Sequence, residues 1–179
     1  KRASELYPTF HPDSNKVAYV LHNSEGDKII ELDLRNLRTK YLVKSNLLQY
    51  NPRYSPDGKA LAFYGKNRKD DHYSIYYLKD GKLKVLAEKV VKSDKKGPIF
   101  TPDSRAIVYV KKDPKAFDPI EMVSLKTGTS ITLTTKTQHN QDLDIVVDGN
   151  KGWWLAFVAQ GSKKDAVKRY NKLFIISDT

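Results

Sequence analysis

The 179-residue chain is 39% hydrophobic and 30% charged, the balance of a globular protein with one ample core rather than of a disordered one. No apolar run approaches the roughly 18 residues that argue for a membrane helix, and the absence of cysteine excludes disulfide staples and thiolate metal sites. A formal charge of +11 favours acidic proteins, anionic polysaccharide or lipid surfaces, or nucleic acid, and the scatter of the arginines among many lysines disfavours the last of these.

In chain order the same phrase recurs: Pro8 to Ser14, Pro52 to Gly58, Pro98 to Ser104 and, in degenerate form, Leu143 to Gly149, each followed by a short apolar strand. Its aspartates, Asp13, Asp57, Asp103 and Asp148, are spaced by 44, 46 and 45 residues, the period of propeller blades. A sheet of this size cannot cover both of its own faces, so it is stabilised by stacking on neighbours of its kind. In the first repeat, Val17 to Leu21, Ile29 to Leu34 and Tyr41 to Val43 read as strands, although Ile30, Leu34, Leu37, Tyr41 and Leu48 also recur at helical spacing. Agreement with the other repeats favours strands.

The second repeat is the plainest. Pro52 to Tyr54 begins a strand, Ser55 to Gly58 turns, Ala60 to Tyr64 and Tyr73 to Leu78 are strands, Lys79 to Lys82 is a tight turn, and Leu83 to Leu86 alternates as a fourth strand. The third repeat follows with Ala106 to Val110, Ile120 to Leu125, the turn Lys126 to Thr129, and Ile131 to Leu133. The fourth has Trp153 to Val158 and Leu173 to Ile176 but lacks a fourth strand. The fold expected is all-β, a β-propeller of about four four-stranded antiparallel blades with the last incomplete. The chain reads as one domain, 1–179, with repeats near 5–47, 48–93, 94–138 and 139–179, either standing alone or forming part of a longer propeller. A homodimer is one way to cover open blade edges.

The stretch Pro52 to Phe63, with Ile75 to Leu78 after it, resembles the repeat of the TolB-like propellers of bacteria. The likeness extends over nearly the whole chain and weakens in the fourth repeat, where Val147-Asp148-Gly149-Asn150 replaces the Pro-Asp-Gly core. The resemblance implies a non-enzymatic propeller that binds proteins in the cell envelope, hence a periplasmic or other extracytoplasmic setting, with a cytoplasmic one left open. The same repeat also builds the propellers of prolyl-oligopeptidase-like enzymes, which is the alternative, as is an anionic polymer-binding module. The start at Lys1 fits a processed chain and leaves an export signal open.

The motif residues have structural uses. Proline sets φ, the aspartate accepts amide hydrogen bonds two residues on, and Gly58 or Gly149 permits positive φ, so a metal ring of the four aspartates is not inferred and no cofactor is expected. Trp153 and Trp154, as neighbours in a strand, point to opposite faces, with core the favoured place. Tyr19, Phe63, Tyr109 and Phe157 match in repeat position and are expected to fill the gaps between blades. Of the histidines, only His72 beside Asp70 and Asp71, and His139, suggest chemistry, and no catalytic residue is assigned.

Strand alternation sends the tight turns to one end of each blade and the long connections, including Leu21 to Lys28, to the other. The long connections carry the candidate partner-binding residues Lys66, Arg68, Lys69, Lys95, Lys96, Lys111, Lys112, Lys163, Lys164 and Arg169. These form a basic, loop-rich face for an acidic or envelope-associated protein partner.

Overall fold

The computed structural model describes residues 4–13, 15–114, 117–134, 139–147, 152–160 and 171–177. Four antiparallel sheets follow one another along the chain. The first contains β1 (Ser4–Phe10), β2 (Lys16–Asn23), β3 (Gly26–Asp33) and β4 (Arg38–Tyr41), and the second β5 (Leu48–Tyr54), β6 (Ala60–Lys66), β7 (Tyr73–Lys79) and β8 (Lys82–Val90). The third has β9 (Ile99–Phe100), β10 (Ala106–Val110), β11 (Ile120–Ser124) and β12 (Ser130–Thr132). The fourth has three strands among the described residues, β13 (His139–Val147), β14 (Trp153–Gln160) and β15 (Asn171–Ser177). Every sheet is a meander whose neighbours in space are neighbours in sequence.

The region from Ile30 to Leu48 is strand and turn, not helix. Its outer strand β4 lies three residues earlier than the apolar reading placed it, because Arg38 to Tyr41 are all exposed and only their backbone pairs with β3. Strands β2 and β3 also run on to a two-residue turn at Ser24 and Glu25, with Asn23 opposite Gly26, so the long loop expected from Leu21 to Lys28 is a tight hairpin instead.

Two compact units result, one of Lys1–Glu88 with Asp94–Pro98 and one of Lys89–Ser93 with Ile99–Thr179. In the first unit Ala18, Val20 and Ile29 of one sheet pack against Leu61 and Phe63 of the next, and Phe63 stacks on Tyr76 at 5.4 Å. In the second, Val108, Val110 and Ile120 pack against Leu155, Phe157 and Ala159, with Phe157 stacked on Phe174. The same side of the earlier blade thus meets the opposite side of the later one in both units. Phe63 and Phe157 fill these gaps as expected, Tyr109 is buried with its hydroxyl donating to Glu121 Oε2, and Tyr19 is half-buried. Trp153 packs on the core while Trp154 faces out, as strand alternation requires.

Buried amides reinforce the stacking. Gln49, fully buried, accepts the Ile29 amide at 2.8 Å through Oε1 and donates through Nε2 to the Val43 carbonyl. Asn140, eight residues before its motif aspartate as Gln49 is before Asp57, donates to the Asp118 carbonyl at 2.8 Å. In each unit the first strand of the later sheet therefore satisfies backbone groups of the earlier one that the ladders leave open.

Candidate functional site

The motif turns are scaffold. Asp13, Asp57 and Asp103 each accept the amide two residues on, from Asn15, Lys59 and Arg105. Ser55 and Thr101 donate their hydroxyls to Asp57 and Asp103 at 2.6 Å and accept the amides of Ala60 and Ala106. The Ser55 hydrogen bond is the main reason the Asp57 carboxyl sits below the usual range, burial opposing it. Gly58 has the positive φ expected of it, 69°, and Ser104 takes the same conformation at 58°. His11 replaces the hydroxyl in the first repeat and reaches the Gly58 carbonyl at 2.9 Å, tying the two turns together. Asp148 and Gly149 lie outside the described residues.

Six residues before three of the four motif aspartates the backbone does something the sequence did not announce. Tyr7, Asn51 and Asp142 adopt left-handed φ of 55°, 48° and 54°, and β1, β5 and β13 each carry a bulge there. Gly97 holds the matching place before Asp103. A bulge leaves one residue out of the ladder and re-aims the side chains around it. In the first unit three of these positions, Tyr7, Asn51 and Gly97, line one recess of about 230 Å³, together with Pro8, Thr9 and Pro52. Arg53, Lys95 and Lys96 complete the lining, so it holds three cations and no carboxylate.

The floor of this recess is tight. A Cβ on Gly97 would lie 2.4 Å from the Asn51 carbonyl oxygen and 3.0 Å from Arg53 Cβ, so only glycine lets the segment lie this close to β5. Asn51 is buried, and its Nδ2 donates to the Lys96 carbonyl at 3.4 Å. Arg53 is half-buried, and its guanidinium makes no ion pair or hydrogen bond with any described residue. Lys95 and Lys96 are exposed at the rim.

The other basic candidates are placed separately. Lys66 lies over the Tyr73 ring at 5.4 Å, Arg68 donates to the Glu25 carbonyl at 2.8 Å, and Lys69 is exposed, all in the first unit. In the second unit Lys111 is half-buried, and Lys112 lies 3.4 Å from Asp118, which offsets its charge. Lys163, Lys164 and Arg169 lie outside the described residues. The structure thus brings Lys95 and Lys96 together with Arg53, a residue of β5 that lies outside the long connections.

Of the histidines, His72 pairs at 2.9 Å with Asp71, which is fully exposed. The side chain of His139 lies outside the described residues. His22 instead pairs with the buried Asp27, which also accepts a hydrogen bond from Tyr50, whose hydroxyl is pushed up first by burial and then by that carboxylate. No hydroxyl or thiol is bonded to the His22 ring among the described residues, so this group ties the β2–β3 hairpin to β5 rather than forming a triad.

No protein-family model and no curated protein matches the chain. Solved structures do. TolB from Acinetobacter baumannii aligns with a TM-score of 0.74 at 23% identity over 99% of this chain, and a putative TolB from Agrobacterium tumefaciens at 0.69 and 18% over 100%. A prolyl endopeptidase aligns at 0.71 and 17% over 98% of the chain and 28% of its own length. The chain spans 42% and 63% of the two TolB structures.

Proposed function

We infer the function from a fold that is that of TolB-like β-propeller blades. We propose that the chain is a non-enzymatic binding module whose basic, loop-rich ends dock an acidic protein partner, in the bacterial envelope. The observation that carries this reading is the recess of the first unit, where Arg53, Lys95 and Lys96 converge with no lining carboxylate. A rigid scaffold presenting like charges on its connections steers and orients an oppositely charged partner. Charge reversal of Lys66, Lys69, Lys95 and Lys96 together abolishes binding to polyglutamate, and salt weakens binding by the unaltered chain. Retention of polyglutamate by the reversed chain, or equal retention of heparin and nucleic acid by the unaltered one, refutes the proposal.

The alignment with a prolyl endopeptidase supports a second reading, a propeller segment that gates a peptidase domain. A Gly-x-Ser-x-Gly elbow in the same open reading frame selects it.

A further inference from the structure

We infer that the recess of the first unit is a carboxylate-binding site with Arg53 as its fork. The inference rests on the acidic-partner reading above and names the group that this partner inserts. Three features carry it.

Arg53 is the first. A half-buried guanidinium has surrendered part of its hydration, and with no partner among the described residues its donors are unmatched. Elsewhere even exposed guanidinium groups find partners, and so does a buried carboxylate. Arg35 bonds Asp33 through Nε and Nη2, Arg68 bonds a carbonyl, and the buried Glu31 has Lys40 and Tyr54. A planar fork with no described partner, on a residue that lines a recess, is matched by a planar anion presenting two oxygens.

The second feature is the sign of the walls. Lys95 and Lys96 add two charges at the rim, and Asp94, the nearest acid in sequence, does not line the recess. An anion entering meets three cationic side chains and no carboxylate among the lining residues.

The third is the way the recess is built. Tyr7 and Asn51 sit at left-handed bulge positions, a conformation that disfavours tyrosine in particular, and Gly97 allows an approach that any side chain would block. Repeat-equivalent positions from three blades therefore converge here, and around 230 Å³ accommodates one carboxylate with its adjoining methylene groups rather than a polymer chain.

The test uses two probes that separate the sources of a carboxylate: N-acetyl-tetraglutamate amide, which offers side chains, and N-acetyl-tetraglycine, which offers only a free C-terminus. Inorganic phosphate is the third. Dissociation constants are measured by calorimetry, and the amides of Tyr7, Asn51 and Gly97 are followed by NMR. The expected result is binding of at least one carboxylate probe with shifts at those three amides. Arg53→Gln then weakens it by about tenfold or more, the loss expected when a charge-assisted hydrogen-bonding group is removed. Arg53→Lys, which keeps the charge and loses the fork, is also weaker than the unaltered chain and decides the matter if Arg53→Gln does not fold.

Affinity unchanged in either Arg53 variant, or phosphate bound while both carboxylate probes are not, overturns the inference. If affinity for the glutamate probe is lost on charge reversal of Lys66 and Lys69 but not in the Arg53 variants, the basic-end reading stands and the recess is not its anchor. If neither set changes it, both fall.

Discussion

Replacing Gly97 by alanine asks whether the close approach that shapes the recess is needed. The backbone at Gly97 is outside the left-handed region, so strain at φ plays no part and the added methyl alone decides. That methyl would stand 2.4 Å from the Asn51 carbonyl oxygen and 3.3 Å from the Pro52 carbonyl carbon. Both neighbours are main chain and cannot rotate away. Ordinary contact requires the Asp94–Pro98 segment to withdraw by about 1 Å, which weakens the Asn51 to Lys96 bond already at 3.4 Å. Overpacking of this kind costs about 1–3 kcal/mol, and the main-chain obstacle puts this case near 2 kcal/mol. At about 2–4 °C per kcal/mol for a chain of this size, the melting temperature falls by roughly 4–8 °C. Thermal melts followed by circular dichroism measure it, with calorimetry reporting the loss of carboxylate binding. A melting temperature within about 1 °C of the parent, with binding intact, refutes the argument.

Phe63→Ala empties the centre of the first unit's core, where the ring is fully buried between two sheets, and costs about 3–5 kcal/mol by urea unfolding; a loss under 1 kcal/mol contradicts the blade-stacking account. Burial raises the Glu31 carboxyl, but hydrogen bonds from Lys40 and Tyr54 and the charges of Lys40 and Lys16 outweigh it and hold it below 4.5. Its stabilising share is therefore full above that value and lost as pH falls through the lowered one. Melts between neutral and acid pH show a shallower acid limb in Glu31→Gln, and superimposable limbs sink this assignment. Gly81→Ala meets open space and costs only left-handed strain, about 1 kcal/mol, whereas Gly58→Ala adds a Cβ 2.7 Å from the His11 ring and is the more destabilising of the two, which paired unfolding curves decide.

The blades were legible in the sequence because two local signals coincide, the Pro-Asp turn and the apolar strand after it. Inner strands such as Ala60 to Tyr64 bury both faces and stand out, while β4 at the sheet margin buries nothing and left no apolar trace, hence its displaced boundary. The bulges were illegible for a different reason. Asn51 and Asp142 tolerate left-handed φ without requiring it, and Tyr7 gives no hint of it at all, since a bulky side chain disfavours that region. Arg53 carries no such signal in the sequence, because it stands within a strand and not in a long connection. Its place in β5, one residue after the bulge proline, becomes significant only when Lys95 and Lys96 arrive from 42 and 43 residues further on.

The amides of Gln49 and Asn140 carry a consequence for how repeated sheets avoid docking out of step. Greasy surfaces of similar contour would tolerate a slide by one pleat at little loss, because hydrophobic contact has no direction. A side-chain amide that must find one particular peptide group has direction, and any slip strands it in a dry interior. Such a clasp works as an index mark between adjacent blades, contributing less to total stability than to the singleness of the assembled state.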